Sequence, residues 1–430
     1  MNVESKRVVV VGQGYVGLPL AMLAVEKGHD VIGYDVDDSR IEALENATSF
    51  VEDVSDIEVA DALATGRYRP SVDSNSLAGF DVIVITVPTP LRETLPDLSY
   101  VEAATRTLAR YLRHGATVIL ESTTYPGTTE DVLGPMIDEL TGLRAGHDYH
   151  LGFSPERIDP GNHTFGLRNT PKVVAGIDPS SLEAIKGFYD SVLDADADGK
   201  AITVPVSTPK EAELAKLLEN TFRHVNIALV NELAMFGHDL GINVWEAIDA
   251  AGTKPFGYMK FTPGPGVGGH CLPIDPSYLS WQVRRRLGRA FRFVELANDI
   301  NDHMPDYVTD RLIHALNDRM IALNGARILL LGLAYKANTS DARESPALAV
   351  AERLLKMGAR VRAVDPHLSE AHRLDPSITL VTVSDEELIK ADAVVLLTDH
   401  ADFDLAHIAD TADLVLDTRN KMSGESVELL

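Results

Sequence analysis

The 430-residue chain contains one cysteine, Cys271, in the segment GPGVGGHCLPIDP at 264–276. Such a loop leaves backbone amides open, and a thiol just before a proline-initiated helix lies near the positive helix end, which favours the thiolate. The context predicts a nucleophilic Cys271, the alternative being an inert buried cysteine. A single cysteine excludes an internal disulfide, and with scattered histidines it matches no metal-ligand spacing, so no metal site is predicted.

Two other segments carry residues that could serve the same chemistry. Lys216 and Asn220 are four residues apart on a predicted helix and share one face. There, an ammonium and an amide could stabilise the oxyanion formed when a thiolate adds to an aldehyde. Glu156, in FSPER at 153–157, follows a predicted strand and is a candidate base. The alternatives are a solvated helix face for the pair and an ordinary loop carboxylate for Glu156.

A glycine motif near the N-terminus predicts a dinucleotide site. In GQGYVG, Gly12 permits a sharp turn, Gly14 lets a pyrophosphate approach the backbone, and Gly17 lets helix pack on strand. Asp35 ends the next predicted strand, where a carboxylate accepts hydrogen bonds from ribose hydroxyls and repels a 2′-phosphate. The cofactor is therefore predicted to be NAD. Arg40 could cover the adenine-ribose edge or be a solvated helix arginine.

Alternating strands and helices position these residues. Apolar strands are predicted at 7–11, 31–35, 81–86, 116–120 and 149–153, with helical stretches such as 100–112 between them. This alternation implies a parallel sheet covered on both faces. The pattern returns at 328–334, 361–365 and 391–397, where only Gly332 of the three glycines remains. The second copy should bind something other than a dinucleotide.

A long helix predicted at 211–238 separates the two copies. We predict an α/β fold of two Rossmann-like doubly wound domains joined by this helix in a helical central domain. The predicted boundaries are 1–207 for the NAD-binding domain, 208–324 for the central domain and 325–430 for the C-terminal domain. The helix is apolar on more than one side, which predicts a homodimer through it.

Composition limits the possible partners. A formal net charge of −25 disfavours nucleic acid and acidic membrane surfaces, since both need a basic footprint. Any phosphate site must therefore be built from a few placed cations in an otherwise acidic chain. Lys336 and Arg343, near the second turn, suit the phosphates of a nucleotide diphosphate. The alternative is that they are two surface cations. No apolar run is long enough for a membrane helix, and no signal peptide is recognised, so a cytoplasmic protein is expected.

With these motifs in order, the chain resembles the UDP-sugar 6-dehydrogenase family. The likeness covers nearly the whole chain and rests on GYVG at 14–17, VPTP at 87–90, ESTT at 121–124, FSPER at 153–157, Lys216 with Asn220, GGHC at 268–271, and Lys336 with Arg343. The resemblance implies Cys271 as nucleophile, with Lys216, Asn220, Asp275, Thr123 and Glu156 around the reacting carbon and a water. It implies NAD contacts from Gly12, Gly14, Tyr15, Val16, Gly17, Asp35, Arg40, Pro88, Thr89, Ser122, Thr123 and Arg343. It implies UDP-sugar contacts from Glu156, Arg157, Lys216, Asn220, Phe261, Gly268 and Lys336.

The resemblance further implies two NAD-dependent oxidations at C6 of the sugar through a covalent thiohemiacetal and thioester, supplying surface polysaccharide or glycan synthesis. The segments 153–162, 226–233 and 253–257 look most like UDP-N-acetylglucosamine enzymes, and His270 and Ile274 depart from the UDP-glucose branch. The mannosamine epimer stays open. Two other interpretations are a 3-hydroxyacid dehydrogenase, which needs neither thiol nor second Rossmann domain, and a non-catalytic nucleotide-sugar sensor.

Overall fold

The computed structural model describes residues 4–92, 95–158, 164–269, 272–368 and 374–430. The chain divides into two compact units between Glu219 and Asn220. Up to the helix that crosses this boundary, the helices are α1 Gly17–Glu26, α2 Asp38–Glu45, α3 Asp56–Ala64, α4 Ser99–Ala109, α5 Gly134–Thr141, α6 Pro179–Val192 and α7 Pro209–Asp239. The strands are β1 Arg7–Val11, β2 Asp30–Tyr34, β3 Tyr68–Ser71, β4 Val82–Ile85, β5 Leu91–Arg92, β6 Leu95–Pro96, β7 Thr117–Leu120, β8 His150–Phe153, β9 Lys172–Gly176 and β10 Thr203–Pro205.

The first unit is built on a sheet whose described strands follow the order β10-β9-β8-β7-β4-β1-β2-β3. The six strands from β8 to β3 in this order are parallel, whereas β9 runs antiparallel to β8. The chain winds outward from β1 on one side and from β4 on the other, so the strand order reverses between them. After the exposed Arg7, β1 consists of four buried valines, as expected for a strand covered on both faces. Separate apolar clusters cover the two faces.

The second unit repeats this arrangement in its C-terminal part. Its helices are α8 Val244–Gly252, α9 Asp275–Leu287, α10 Arg292–Asp318, α11 Pro346–Lys356, α12 Asp385–Lys390 and α13 Leu405–Thr411. Its strands are β11 Arg327–Leu331, β12 Arg360–Val364, β13 Thr379–Leu380, β14 Ala393–Leu396, β15 Val415–Asp417 and β16 Val427–Leu429. They form a parallel sheet in the order β13-β12-β11-β14-β15-β16, with apolar clusters on both faces.

The predicted fold is confirmed by these two doubly wound sheets and the long helix between them. Predicted strands agree with the observed ones to within about two residues, and the segment 328–334, predicted as a strand and a turn, covers β11 and the turn after it. The long helix, predicted at 211–238, extends over Pro209–Asp239. In the described ranges, every helix is too short or too polar to cross a membrane.

Candidate active site

The predicted residues of the first unit gather at one edge of its sheet. Because β1, β2, β4, β7 and β8 are parallel, their carboxyl ends lie at the same edge. The segments that follow these strands are the glycine turn 12–17, Asp35, the stretch 86–90, the stretch 121–123 with Ser122 and Thr123, and the stretch 154–157. Ligands of doubly wound sheets bind at this edge, beside the point where the strand order reverses.

The three glycines of the first turn differ in their surroundings. Gly12 has φ +95°, and a Cβ there would lie 2.8 Å from the carbonyl oxygen of Thr86. At Gly17, the first residue of α1, a Cβ would lie 1.8 Å from the carbonyl oxygen of Gly12. A Cβ at Gly14, by contrast, would meet nothing within 4 Å. The turn is therefore closed on its protein side and open at its middle glycine, beside a helix N-terminus, which fits a pyrophosphate.

Asp35 is held in place by the glycine turn. Its carboxylate accepts a hydrogen bond of 2.8 Å from the backbone N–H of Gln13 and is only 6% exposed. The buried Gln13 side chain in turn donates to the carbonyl of Val10 and accepts from the hydroxyl of Tyr68. Arg40 lies 3.5 Å from the Asp35 carboxylate. These residues fit an NAD molecule whose adenosine ribose hydroxyls bind Asp35, and bound NAD supplies the hydride acceptor for an oxidation.

The other predicted cofactor contacts vary in exposure. Tyr15 and Pro88 are exposed and Val16 is half-buried, whereas Thr89 and Ser122 are buried. The Ser122 hydroxyl donates to the carbonyl oxygen of Ile85, which ties the end of β7 to the end of β4. Ser122 therefore has a structural partner at the position where the resemblance expects a cofactor contact.

Lys216 and Thr123 are in direct contact. The Lys216 ammonium on α7 donates a hydrogen bond to the hydroxyl of Thr123, just after β7. Three residues earlier on the helix, the buried carboxylate of Glu213 accepts hydrogen bonds from the backbone N–H groups of Gly127 and Thr129. Burial raises the pKa of Glu213 to about 7. Two side chains of α7, Lys216 and Glu213, thus fix the loop after β7. The sequence had indicated only Lys216.

Glu156 and Arg157 both have protein partners. The Glu156 carboxylate is 8% exposed and lies 2.8 Å from the ammonium of Lys172. The Arg157 guanidinium forms a two-point ion pair with Glu219 of α7, with hydrogen bonds of 3.0 and 2.5 Å, and donates to the carbonyl of Pro171. Glu156 is thus a buried anion, and Arg157 connects the segment after β8 to α7.

In the second unit, Asn220 contacts Asp275. The Asn220 amide donates a hydrogen bond of 2.6 Å to the Asp275 carboxylate, which is 2% exposed at the first residue of α9. Pro276 at the next position agrees with the predicted proline-initiated helix. The predicted nucleophile Cys271 and its neighbour His270 lie outside the described residues.

The glycine-rich loop before Cys271 packs closely against the turn that follows β11. A Cβ on Gly268 would lie 2.7 Å from Pro346 Cδ and 2.9 Å from Tyr335 Cβ, and one on Gly269 would lie 2.7 Å from the Tyr335 ring. The buried amide of Asn231 on α7 accepts a hydrogen bond from the Gly264 backbone N–H. The glycines are therefore needed for close approach. Asn231, inside the 226–233 motif, was not recognised as the anchor of the loop.

A cavity of about 350 Å³ lies beside this loop. It is lined by Ile227, Lys260, Phe261, Thr262, Gly264, Gly266 and Arg419. Phe261, a predicted substrate contact, packs edge-on against Phe222 with ring centroids 5.8 Å apart. Lys260 and Arg419, which no motif in the sequence had indicated, supply two cations in an acidic protein. The signal for Arg419 was its position two residues after strand β15, at a sheet edge.

The second turn uses its carboxylate differently from the first. Asp365, the counterpart of Asp35, accepts hydrogen bonds from the backbone N–H groups of Leu333 and Ala334 and from buried His400. Burial opposes its ionisation, but these hydrogen bonds lower the pKa of Asp365 to about 2. The carboxylate is therefore committed to its own turn, in agreement with the prediction of a different ligand.

The two predicted cations of the second turn have different surroundings. Arg343 is exposed and forms hydrogen bonds of 2.9 and 2.6 Å with Asp341. Lys336 is half-buried, and its carbonyl oxygen accepts a hydrogen bond from the hydroxyl of Thr339. The segment that carries both residues is continuous with Glu344 and Pro346, on which Gly268 packs.

Comparison with known families accounts for three segments of the chain. Residues 6–193 match the NAD binding domain of the UDP-glucose/GDP-mannose dehydrogenase family, 210–303 its central domain and 329–424 its UDP binding domain. The chain belongs to this family. It is an NAD-dependent UDP-sugar dehydrogenase, as the resemblance implied, and the interpretations as a 3-hydroxyacid dehydrogenase or a non-catalytic sensor are set aside.

Individual relatives agree with this assignment over nearly the full length. The UDP-N-acetyl-D-mannosamine dehydrogenase of Pyrococcus horikoshii is 38% identical over 92% of this chain and 90% of the relative. The UDP-N-acetyl-D-glucosamine 6-dehydrogenase of Pseudomonas aeruginosa is 34% identical over 93% of this chain and 92% of the relative. The solved structure of the UDP-N-acetylmannosamine dehydrogenase of Pyrococcus horikoshii is similar to this chain, with a TM-score of 0.88 and 35% identity over 98% of both chains.

Proposed function

We propose that this dehydrogenase oxidises the C6 hydroxyl of UDP-N-acetylglucosamine twice, to the uronic acid, with Cys271 holding the intermediate. The oxidation is supported by the NAD-type turn at Gly12–Gly17 in the first unit and, within the second unit, by the cation-bearing cavity beside the glycine-rich loop. The choice of N-acetylglucosamine rests on the likeness of the segments 153–162 and 253–257 to enzymes of that substrate. We further propose that the domain boundaries lie at 207/208 and 324/325; the three matched segments fall inside them. The product would supply surface polysaccharide or glycan synthesis.

The first oxidation removes a hydride from C6 and the hydroxyl proton, leaving an aldehyde. The Cys271 thiolate adds to the aldehyde carbon, and the oxygen takes up a proton to give a thiohemiacetal. Lys216 and Asn220 donate hydrogen bonds to the oxygen on which negative charge develops. Covalent capture keeps the aldehyde from escaping between the two oxidations.

Removal of a second hydride and the hydroxyl proton converts the adduct into a thioester. Water then adds to the thioester carbon, the C–S bond breaks, and the thiolate leaves as the carboxylic acid forms and ionises. In our proposal, Asp275 and Thr123 orient the water and Glu156 assists proton transfer. Asn220 donates a hydrogen bond to Asp275, and Lys216 donates one to Thr123. Each residue proposed to stabilise the oxyanion thus contacts one residue proposed to orient the water, which supports these roles.

We propose further that Lys260 and Arg419 bind the diphosphate of the substrate, with Phe261 and Gly268 along the uridine and sugar. Arg419 donates from Nε to the carbonyl of Leu397 at 2.7 Å, which fixes the plane of its guanidinium. A fixed guanidinium presents its remaining N–H groups in a fork suited to phosphate oxygens. Lys336 would add a cation from the adjacent turn.

A substrate panel tests the proposal. UDP-N-acetylglucosamine, UDP-N-acetylmannosamine, UDP-N-acetylgalactosamine and UDP-glucose are compared by NADH formation and by mass analysis of the product. An acetamido site leaves an unfilled space and unpaired polar groups with glucose, each costing on the order of 1 to 3 kcal/mol. We expect kcat/KM for UDP-N-acetylglucosamine to exceed that for UDP-glucose by about a hundredfold. Equal values for the two sugars would contradict the acetamido assignment.

UDP-N-acetylmannosamine is the second candidate substrate. It is favoured by the 38% identity of this chain to the UDP-N-acetyl-D-mannosamine dehydrogenase of Pyrococcus horikoshii. The two sugars differ only in the configuration at C2, so the same panel separates them. A clear preference for the mannosamine epimer would retain the acetamido argument and overturn only the C2 configuration.

We propose a homodimer through the exposed apolar side chains of helix α7. These are Leu214, Leu218, Phe222, Leu229 and Phe236, each more than 40% exposed. A row of large apolar side chains on one helix is typical of a surface that is covered in the assembled protein. The exposed stripe supports the prediction that α7 contacts a second copy of the chain.

Light scattering tests the homodimer. We expect a mass of twice the 46.7 kDa chain, shifted towards the monomer by Leu218→Glu because a charge would be buried in the contact. Ile57→Glu, at an exposed isoleucine of α3, is the matched control and should leave the mass unchanged. A stable, active wild-type monomer would overturn the proposal.

A further inference from the structure

A buried cluster of four ionisable side chains lies within the first unit, beneath the segment that carries Glu156. It joins Glu121 at the end of β7, Glu156 after β8, Lys172 at the start of β9 and Tyr189 of α6. All four residues are less than 9% exposed. Ionisable groups are rarely buried unless they are paired, and their desolvation is costly. A buried cluster of this kind is therefore expected to serve either the stability of the fold or the chemistry of the site.

Lys172 is the centre of the cluster. Its ammonium forms hydrogen bonds with Glu121 and, at 2.8 Å, with Glu156. It also lies 5.3 Å from the centroid of the Tyr189 ring, whose hydroxyl donates to the second oxygen of Glu121 at 2.7 Å. One cation thus faces two carboxylates from neighbouring parallel strands, at the edge where the cofactor turn lies.

Glu156 is fixed by contacts to both of its oxygens. One oxygen accepts hydrogen bonds from the backbone N–H groups of Arg157 at 2.6 Å and Ile158 at 2.8 Å, and the other accepts from Lys172. The neighbouring Arg157 guanidinium is directed to Glu219 instead. Among the described side chains, Lys172 is the cation that contacts Glu156, and it stabilises the ionised form together with these two backbone N–H groups.

The two carboxyl groups respond to burial in opposite directions. Burial raises the pKa of Glu121 to about 7, because the attraction of Lys172 only partly offsets the loss of solvent and Glu156 adds repulsion. Burial also opposes ionisation of Glu156. The charge of Lys172 and the hydrogen bonds that Glu156 accepts nevertheless hold the pKa of Glu156 below its usual value. The environment therefore favours the neutral form of Glu121 and the ionised form of Glu156.

We propose that Lys172 is a positioning residue for the reaction: it holds Glu156 in place and keeps it ionised so that Glu156 can accept a proton during turnover. This inference rests on the proposed role of Glu156 in the dehydrogenase reaction. Because Lys172 is only 3% exposed and its ammonium faces the two carboxylates, we assign it no contact with the substrate. A lysine beginning the apolar strand KVVAG is otherwise unexplained.

The test is the pH profile of kcat/KM for the preferred UDP-sugar, measured on full-length Lys172→Met. Without the ammonium, the pKa of Glu156 rises, so the acidic limb should move up by about one to three pH units. Lys186→Met is the matched control, because Lys186 forms a comparable 2.5 Å pair with Asp190 on the more exposed side of α6. Its profile should coincide with that of the wild type.

Two further variants separate positioning from folding. Glu121→Gln keeps the Lys172–Glu156 pair and removes the repulsion between the two carboxylates, so the acidic limb should not move up as it does in Lys172→Met. The double variant Lys172→Met/Glu121→Gln removes one buried charge of each sign, so it leaves fewer unpaired buried charges than Lys172→Met. It tests the same shift of the acidic limb if Lys172→Met alone does not fold. An acidic limb at the wild-type pH in the folded Lys172 variants, with only a lower plateau, would show that the pair is merely structural.

An infrared titration of the carboxyl band, assigned with Glu156→Gln, measures the ionisation of Glu156 without substrate. We expect Lys172→Met to raise the pH at the midpoint of this infrared titration as well. If the wild type converts no UDP-sugar but the infrared midpoint shifts, the proposed function fails and the control of Glu156 by Lys172 stands. If the wild type is active and neither profile nor midpoint shifts, the inference about Lys172 fails alone.

Discussion

Cys271→Ser is expected to abolish formation of the uronic acid. Serine is hardly ionised at neutral pH, and an alkoxide is a much poorer leaving group than a thiolate, so neither capture nor release of the intermediate proceeds. Loss of a covalent nucleophile can cost about 10⁶-fold in kcat, so we expect a decrease on the order of 10³-fold or more. Product analysis by mass spectrometry, together with the NADH formed per sugar consumed, measures the effect.

The single cysteine provides an internal control for this experiment. Because the chain has one thiol, alkylation of the native protein modifies Cys271 alone and should give the same loss as the serine variant. Bound UDP-sugar should slow the alkylation if the thiol faces the reacting carbon. Near-normal double oxidation by Cys271→Ser would remove the covalent mechanism while leaving the family assignment intact.

The cofactor turn and the fold could be predicted because their signals are local. Gly12, Gly14 and Gly17 form a local motif with a known purpose, and the apolar run at 8–11 directly before it is typical of a strand buried on both faces. The same strand-and-turn pattern at Gly332 predicted the second Rossmann-like domain without its glycine fingerprint. These features depend on neighbours within a few residues, which a sequence displays directly.

The partners of the site residues could not be predicted because they depend on strand order. Lys172 meets Glu121 and Glu156 only because β9 pairs with β8 and β8 with β7. Glu213 reaches the loop after β7 from a helix more than 80 residues later in the chain. Neither pairing has a spacing signal in the sequence, so Glu156 was interpreted as a loop carboxylate or a base, and its counter-ion was missed.

Lys216→Met is the second variant for which we expect a large loss. If Lys216 donates to the oxyanion, removing this charged donor should lower kcat by about 10²- to 10³-fold, with a smaller change in KM, because charge develops on that oxygen only in the transition states. Glu213 still ties α7 to the loop at Gly127 and Thr129, so the helix should stay in place. Steady-state kinetics and the thermal unfolding midpoint measure the two effects.

Lys210→Met provides the matched control, because Lys210 lies on the same helix and pairs with Glu130 at 2.6 Å on the exposed side. We expect it to change kcat by less than about twofold, since surface ion pairs contribute about 0 to 1 kcal/mol. A similar small loss in both variants would mean that Lys216 only fixes the Thr123 loop. A large loss in kcat confined to Lys216→Met, with an unchanged unfolding midpoint, would support a role of the ammonium in the reaction, because the anchor at Glu213 is common to both variants.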